Sequence, residues 1–416
     1  MVWSINQLDI SNAFLNGDLH EEIYMKLPPG YAELTGETLP PNAVCRLHKS
    51  IYGLKQASRQ WFLKLSSTLC AMGFEKAHGD HTLFTRSKNG TFLAILIYVD
   101  DILIVSNQDS LVVEFKCALQ AHFKLRDLGE AKYYLGLEIA RSAEGISLCQ
   151  RKYTLELLST TGFLASKPST IPLDPIVKLS KEEGTLLPDG MAYRKLVGKL
   201  MYLQITRPDI CYAVNTLCQF SSAPREPHLN AVHKLLRYLK GTVGQGLFFS
   251  TDNNFDVRAF SDSDWGTCKD SRRSVTGYCI FVGDSLVSWR SKKQDTVSCS
   301  TAEAEFRAMW SVTKELIWLT RLIVILKAPF QMPTHLYCDN VSALYIANNS
   351  VYHERTKHVE MDCYKIREHI DSGFLKTMFV RTGNQLADTL TKALHPAPFR
   401  ELISKMGLLN IFAPPS

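Results

Sequence analysis

Residues 91 to 105 lie in the stretch TFLAILIYVDDILIVSN, where two apolar runs are interrupted by the adjacent acids Asp100 and Asp101. β-Branched and aromatic residues fill both runs, which predicts a strand, an acidic turn and a second strand. A solvated hairpin turn is one reading, because Asp bonds its own backbone and tolerates left-handed dihedrals. The tight two-residue form favours Gly, and none stands here. A metal site is the other reading. Carboxylates flanked by Tyr98, Val99, Ile102 and Leu103 raise each other's pKa unless a cation lies between them. The stretch by itself leaves both open.

The chain has 416 residues, which suggests roughly two or three domains. At 45% hydrophobic and 21% charged it has ample material for globular cores. A formal charge of +6 leans weakly toward polyanionic partners. The local clusters KDSRRS, from Lys269, and RSKKQ, from Arg290, read either as solvated surface or as a phosphate track. The 11 cysteines show neither C-x-x-C nor Cys/His zinc spacing, which fits a reduced, intracellular compartment. MVWSINQLDI lacks the pattern of a secretory signal. The greasiest helix candidate, LIWLTRLIVIL from Leu316, is too short to span a bilayer and carries Arg321.

Helical spacing over Ser110 to Phe123 places Leu111, Phe115, Leu119 and Phe123 on one face. Thr154 to Thr161 is a short helix with Gly162 as its cap. Residues 166 to 190 hold four prolines and read as a linker or extended excursion. Met191 to Leu239 is helical again, broken at TRPDI and SSAPREPH. From Val257 the order becomes strand, strand pair, long helix over Thr301 to Leu326, strand, two helices, strand, helix. That order predicts a mixed sheet flanked by helices.

Acids stand at the ends of these later elements. Asp262 and Asp264 close the first strand, Glu303 and Glu305 open the long helix, Asp339 ends the next strand, and Asp388 sits in the first turn of the last helix. Each has an ordinary structural reading alone, in helix-dipole or turn chemistry. On four termini of one sheet they can converge at one edge, where they repel unless cations neutralise them. Mg²⁺ prefers oxygen ligands and keeps positions for a phosphate. Two such ions clamp the attacking and leaving oxygens at phosphorus, so this set points to phosphodiester cleavage. In the first half, Asp9 lies in a strand-like run with Ile5, Leu8 and Ile10, and joins Asp100 and Asp101 as three acids on adjacent strands. Phe14 is either a core aromatic or a ring pressed against a nucleotide sugar.

QLDISNAFLNGDLHEEIYMKLPPGY, CRLHKSIYGLKQASRQW, LIYVDDILIVSN, YLGLEIARS, YRKLVGKLMYLQITRPDICYAV and LRYLKGT resemble the reverse transcriptase of copia-type retrotransposons. The run from SDSDWGTCKDSRRS to STAEAEF, with CDNVSA, RTKHVEMDCYKIREHI and LADTLTKAL, resembles the ribonuclease H domain of the same polyproteins. The resemblance covers nearly the whole chain, in matching order. It implies an RNA-directed DNA polymerase joined to an RNA–DNA hybrid ribonuclease, of α+β and α/β class. The expected parts are a polymerase palm over residues 1–165, with a mixed sheet and the YVDD hairpin, and a helical thumb or connection over 166–255. A ribonuclease H-like mixed sheet with flanking helices then covers 256–395, and a C-terminal tail 396–416.

The resemblance also implies Mg²⁺, two ions per site with Mn²⁺ as an alternative. Asp9, Asp100 and Asp101 match the polymerase's catalytic ligands, and Asp262, Glu305, Asp339 and Asp388 those of the ribonuclease. Phe14 matches the sugar-selecting aromatic, and Gln56 falls in the segment that faces template and incoming nucleotide. Asp264 and Glu303 become neighbours rather than ligands. His358 lies in a family motif without an assigned role. The implied partners are an RNA template, a primer, RNA–DNA hybrid and deoxynucleoside triphosphates, with no membrane. The implied location is intracellular, in cytoplasmic virus-like particles or the nucleus.

Some features depart from the family pattern. The family's fingers, with the basic residues that grip the triphosphate, lie upstream of the segment that holds Asp9, and only eight residues precede Asp9 here. The polymerase half is therefore expected to extend a primer poorly. Ser58 stands where Pro is frequent, Lys365 where His is usual, and Gly266–Thr267 in place of Ala-Gly. None of these is an expected ligand. A ribonuclease H alone, and a non-catalytic nucleic-acid-binding remnant, are the competing readings. An integrase would run Asp, Asp, Glu in chain order rather than Asp, Glu, Asp, Asp.

Overall fold

The computed structural model describes residues 3–36, 38–349 and 360–411, with backbone only for 360–363. His358 lies outside the described residues. The chain divides into two compact units, Met1–Tyr134 and Leu135–Ser416.

The first unit is built on six strands in the order Glu75–Lys76, Leu83–Lys88, Thr91–Tyr98, Asp101–Ser106, Ser4–Ile10, Leu125–Glu130. Every pairing is antiparallel, which corrects the expected mixed palm sheet. The reason lies in the connections. Leu83–Lys88, Thr91–Tyr98 and Asp101–Ser106 follow one another through tight turns, and a parallel neighbour needs a crossover of about a dozen residues or more. Leu8, Ile10, Ile102 and Ile104 pack beneath the helices Ala57–Ala71 and Asp109–Gln120, against Trp61, Leu65, Phe115 and Leu119. The period of two along a strand then turns Asp9 and Asp101 to the opposite face. On the Asp109–Gln120 helix, Val112 rather than Leu111 joins Phe115 and Leu119 in the core.

In the second unit, five strands run in the order Ser285–Lys293, Val275–Val282, Val257–Asp264, Thr334–Cys338, Leu375–Phe379. The first two pairings are antiparallel and the last two parallel, giving the mixed sheet expected from the element order. One face packs on the Thr301–Ile325 helix through Phe306, Met309, Val312 and Leu316. Ser300 starts that helix, its hydroxyl accepting from the Glu303 N–H at 3.2 Å, as an N-cap should.

The other face shares one core with the helical region. Cys279, Phe281 and Leu286 pack with Leu200, Leu217 and Leu236 of the helices Gly190–Leu203, Cys211–Cys218 and Glu226–Gly241. The Arg151–Thr160 helix joins the same core through Leu157 and Leu158. Beside it, Leu408–Asn410, Gln245–Ser250, Gly145–Cys149 and Leu137–Arg141 form neighbouring antiparallel strands. Residues read from the sequence as a tail hold the Pro396–Lys405 helix, which buries Phe399 and Leu402 in this core. No helix among the described residues is long and apolar enough to cross a membrane.

Candidate active sites

In the first unit Asp9 and Asp101 are register partners, and Tyr98 and Asp101 flank the turn Val99–Asp100. Val99 adopts φ 56°, a left-handed conformation that β-branched residues avoid. Tertiary bonds hold it there. The Trp61 indole N–H donates to the Val99 carbonyl at 2.7 Å, and the Ile10 N–H donates to the Asp100 carbonyl at 2.9 Å. A two-residue hairpin thus forms without the glycine it favours, and it projects Asp100 beside Asp9 and Asp101.

Gln7 donates to Asp101 Oδ1 at 3.2 Å. Burial, with Asp100 and Asp9 behind it, raises the Asp101 carboxyl above its ordinary value, against the pull of Gln7. Phe14 sits in the 3-10 turn Ala13–Asn16, its ring centroid 4.6 Å from that of Tyr52. The Tyr52 phenol is raised by burial and by Asp100 and Asp9, which places it beside the acids. Tyr134 is buried, its phenol pushed up to about 12 by burial and Asp101, and its hydroxyl makes no hydrogen bond among the described residues. Gln56 begins the Ala57–Ala71 helix and donates to Glu21 at 2.7 Å. The three acids and Phe14 therefore share one neighbourhood, while the hydrogen bond of Gln56 goes to Glu21. Sequence reasoning did not single out Tyr52, Tyr134 or Trp61. For Tyr52 the signal was its place in CRLHKSIYGLKQ, ahead of Gln56.

In the second unit Asp262 lies opposite Gly277 in the sheet register. A Cβ on Gly277 would fall 2.6 Å from Thr391 Cγ2 and 2.9 Å from Leu390 Cβ. The missing side chain lets the segment from Leu386 to Thr391 close on the sheet. Gln385 fastens that segment, donating to the Ser261 carbonyl at 2.9 Å, and the Thr391 hydroxyl donates to Asp262. Asp388 arrives there on a short 3-10 turn, Leu386–Leu390, rather than on the expected helix.

Glu305 reaches the same place from the first turns of the Thr301–Ile325 helix, and Asp339 from the end of the Thr334–Cys338 strand. Asp262, Glu305 and Asp388 are only 3%, 3% and 4% exposed. The charge of Asp262 acts on both Glu305 and Asp388. Burial, then the charges of Asp262 and Asp339, push the Glu305 carboxyl up to about 10. Burial and Asp262 push Asp388 up to about 7, against the pull of Lys392. Thr382 donates to Asp339 Oδ2 at 2.8 Å and orients it. Glu305, Cys338 and Asp339 bring one ligand atom each within 4.8 Å of one another.

Lys392 lies one turn beyond Asp388, its Nζ 2.8 Å from Asp388 Oδ1 and 3.7 Å from Asp262 Oδ2. Sequence reasoning missed it, although its i,i+4 spacing from Asp388 was legible.

Asp264 and Glu303, expected as neighbours rather than ligands, are each engaged in local bonds. Asp264 accepts from the Thr267 hydroxyl and the Val275 N–H, which knit the turn after the strand. Burial raises its carboxyl to about 7 against those bonds. Glu303 accepts from the Cys299 N–H at 2.8 Å and pairs with Arg307 at 2.7 Å, in ordinary helix-start chemistry.

Buried carboxylates crowded at one point form a donor set that a hard divalent cation relieves, so the residues present fit Mg²⁺.

Residues 1–175 match the family model described as reverse transcriptase (RNA-dependent DNA polymerase). The Retrovirus-related Pol polyprotein from transposon RE1 of Arabidopsis thaliana is 42% identical over 414 residues, covering 100% of this chain and 28% of that polyprotein. A protein ascribed to transposon Ty5-1 of Saccharomyces cerevisiae is 32% identical over 302 residues, 72% of this chain and 97% of that protein. The chain belongs to the copia-type retrotransposon Pol family. It spans 28% of the length of the RE1 polyprotein. The crystal structure of RNase H1 from the halophilic archaeon Halobacterium salinarum NRC-1 is 14% identical, over 33% of this chain and 94% of that one, with a TM-score of 0.26.

Proposed function

We propose that the second unit hydrolyses the RNA strand of RNA–DNA hybrids and that the first unit is an RNA-directed DNA polymerase palm. The observation that carries the reading is the convergence of Asp262, Glu305, Asp339 and Asp388 from four separate elements, three of them almost wholly buried. Acids that repel are retained at one point where a cation's charge compensates them. A pair of Mg²⁺ ions, when bound, supplies neutralisation of the attacking and leaving oxygens at phosphorus.

The chain's own residues hold the geometry. Asp262 is fixed by Thr391, Asp339 by Thr382, and the Asp388 turn by Gln385. The 2′-hydroxyl distinguishes the RNA strand, and exposed cations track the phosphates. Arg272, Arg273 and Lys292 are exposed and suited to this role, whereas Lys293 is turned to Gln219 and Cys268 at 2.9 and 2.8 Å. In the first unit, Asp9, Asp100 and Asp101 fit the same ion chemistry at a primer terminus, and the Phe14–Tyr52 ring pair beside them suits a nucleotide sugar.

The test is a gel assay of labelled RNA–DNA hybrid with Mg²⁺. The expected result is cleavage of the RNA strand. Asp339→Asn should lower the rate about a hundred- to a thousandfold, the usual cost of one electrostatic stabiliser. Hybrid binding should survive that change, because phosphate contacts supply most of the affinity. Asp264→Asn should cost far less. Hybrid binding without cleavage by the unmutated chain would overturn the enzymatic reading in favour of a binding role.

A further inference from the structure

Lys392 holds a place that the proposed chemistry does not need. Its ammonium lies 2.8 Å from Asp388 Oδ1 and 3.7 Å from Asp262 Oδ2, and the charge of Asp339 also acts on it. Its side chain is 39% exposed, so the stem is half-buried and the head can leave toward water. Position and tether come from the fold. The Leu386–Thr391 segment is pinned to the sheet by Gln385 and Thr391, so the Cα of Lys392 has little freedom and only its side chain can swing. Asp262 and Asp388, which the active-site reading assigns to one cation, are the same two acids that Lys392 bridges.

We propose that Lys392 is a built-in counter-ion for the Asp262–Asp388 edge, and that a divalent cation must take this edge from it. The inference rests on the reading of Asp262 and Asp388 as metal ligands. Two consequences follow with opposite signs. In the metal-free state the ammonium stabilises two buried carboxylates that would otherwise repel. During metal binding it competes, because its charge must be displaced or tolerated beside the ion. A purely structural lysine would show the first effect alone, and its loss would weaken metal binding by loosening the ligands.

The experiment uses the full chain carrying Asp100→Asn and Asp101→Asn, so that the first unit's acids contribute little. Mn²⁺ is titrated alone, and the free ion is followed by electron paramagnetic resonance. In parallel, melting is recorded in chelator and in saturating Mn²⁺. Lys392→Met should bind Mn²⁺ about tenfold more tightly than the chain with Lys392 intact, a modest share of the Coulomb effect of one charge near 4 Å because the site is part-solvated. It should also melt lower in chelator, with the gap closing or reversing in Mn²⁺. Lys392→Arg keeps the charge and should bind Mn²⁺ as the lysine does. If the Met variant folds poorly, Lys392→Gln replaces it, since the amide keeps a polar head while removing the charge, and the same tightening is expected. Equal or weaker Mn²⁺ binding by the folded neutral variant overturns the counter-ion inference while leaving the metal reading intact. Failure of the chain with Lys392 intact to bind Mn²⁺ overturns both.

Discussion

Asp9 stands directly opposite Asp101 in the antiparallel register of the Ser4–Ile10 and Asp101–Ser106 strands. Like charges facing each other across a pair destabilise a sheet by a few tenths to about 1 kcal/mol. Asp9→Asn should therefore raise the stability of the metal-free protein by about that amount. It should also diminish the gain in unfolding free energy that Mg²⁺ produces, because one ligand is gone. Urea unfolding with and without Mg²⁺ reads both effects. An undiminished Mg²⁺ effect would remove Asp9 from the ligand set.

Val99 sits at φ 56° in the turn beside those acids. A left-handed conformation costs a non-glycine residue on the order of 1 kcal/mol or more, and glycine adopts it freely. Val99→Gly should stabilise the first unit by about 1 kcal/mol, since the bond from Trp61 goes to the backbone carbonyl and is kept. The measurement is a denaturation midpoint by tryptophan fluorescence. A clear loss of stability would show that the valine side chain contributes more than its backbone costs.

Gly277 faces Asp262 and admits the Leu386–Thr391 segment. An added methyl meets Thr391 and Leu390 inside normal contact distance, and overpacking of this kind typically costs about 1–3 kcal/mol. Gly277→Ala should also move Asp388 away from Asp262, so hybrid cleavage should fall by more than melting alone explains. Stability and cleavage are measured on the same preparation below its melting range. Full cleavage with lowered stability would mean that the segment yields without moving Asp388.

His228 gives the helical region an acid limit. It is buried and stacked on Phe220 with ring centroids 3.8 Å apart. Its Nδ1 accepts from the Arg225 N–H at 3.0 Å, which leaves Nε2 to donate to the Ser180 carbonyl, also at 3.0 Å. Burial holds its pKa below the ordinary 6.5, so the unfolded chain binds more protons than the folded one as pH falls past that value. The stability this residue contributes should be fully present above about pH 6.5 and lost as pH drops through the lower folded value. His228→Gln should flatten that part of the curve. Urea midpoints from pH 5 to 8 test it, and an unchanged slope in the variant would assign the acid limit elsewhere.

Much of this was legible along the chain. The two apolar runs around Asp100–Asp101, the long helix from Thr301 and the strand–helix order after Val257 follow from periodicities set within a few residues. The carboxylates drew notice only as a set, because each alone has an ordinary helix-start or turn reading while several on the termini of one sheet can converge. Residue type and spacing, the family motifs included, are local information, and they carried the reading this far.

Only the tertiary structure decided the rest. Among the described residues the first unit's six-stranded sheet is antiparallel because of which strands lie side by side, and periodicity along a strand does not name its neighbour. The left-handed Val99 persists because Trp61, 38 residues away in sequence, holds its carbonyl. Asp388 meets Asp262 because a glycine in a third element leaves room, and Thr391 bonds Asp262 across 129 residues. Lys392 reaches that edge only once the turn carrying it has docked. Close packing makes each of these placements depend on the shape of distant neighbours, and that dependence is what a reading along the chain lacks.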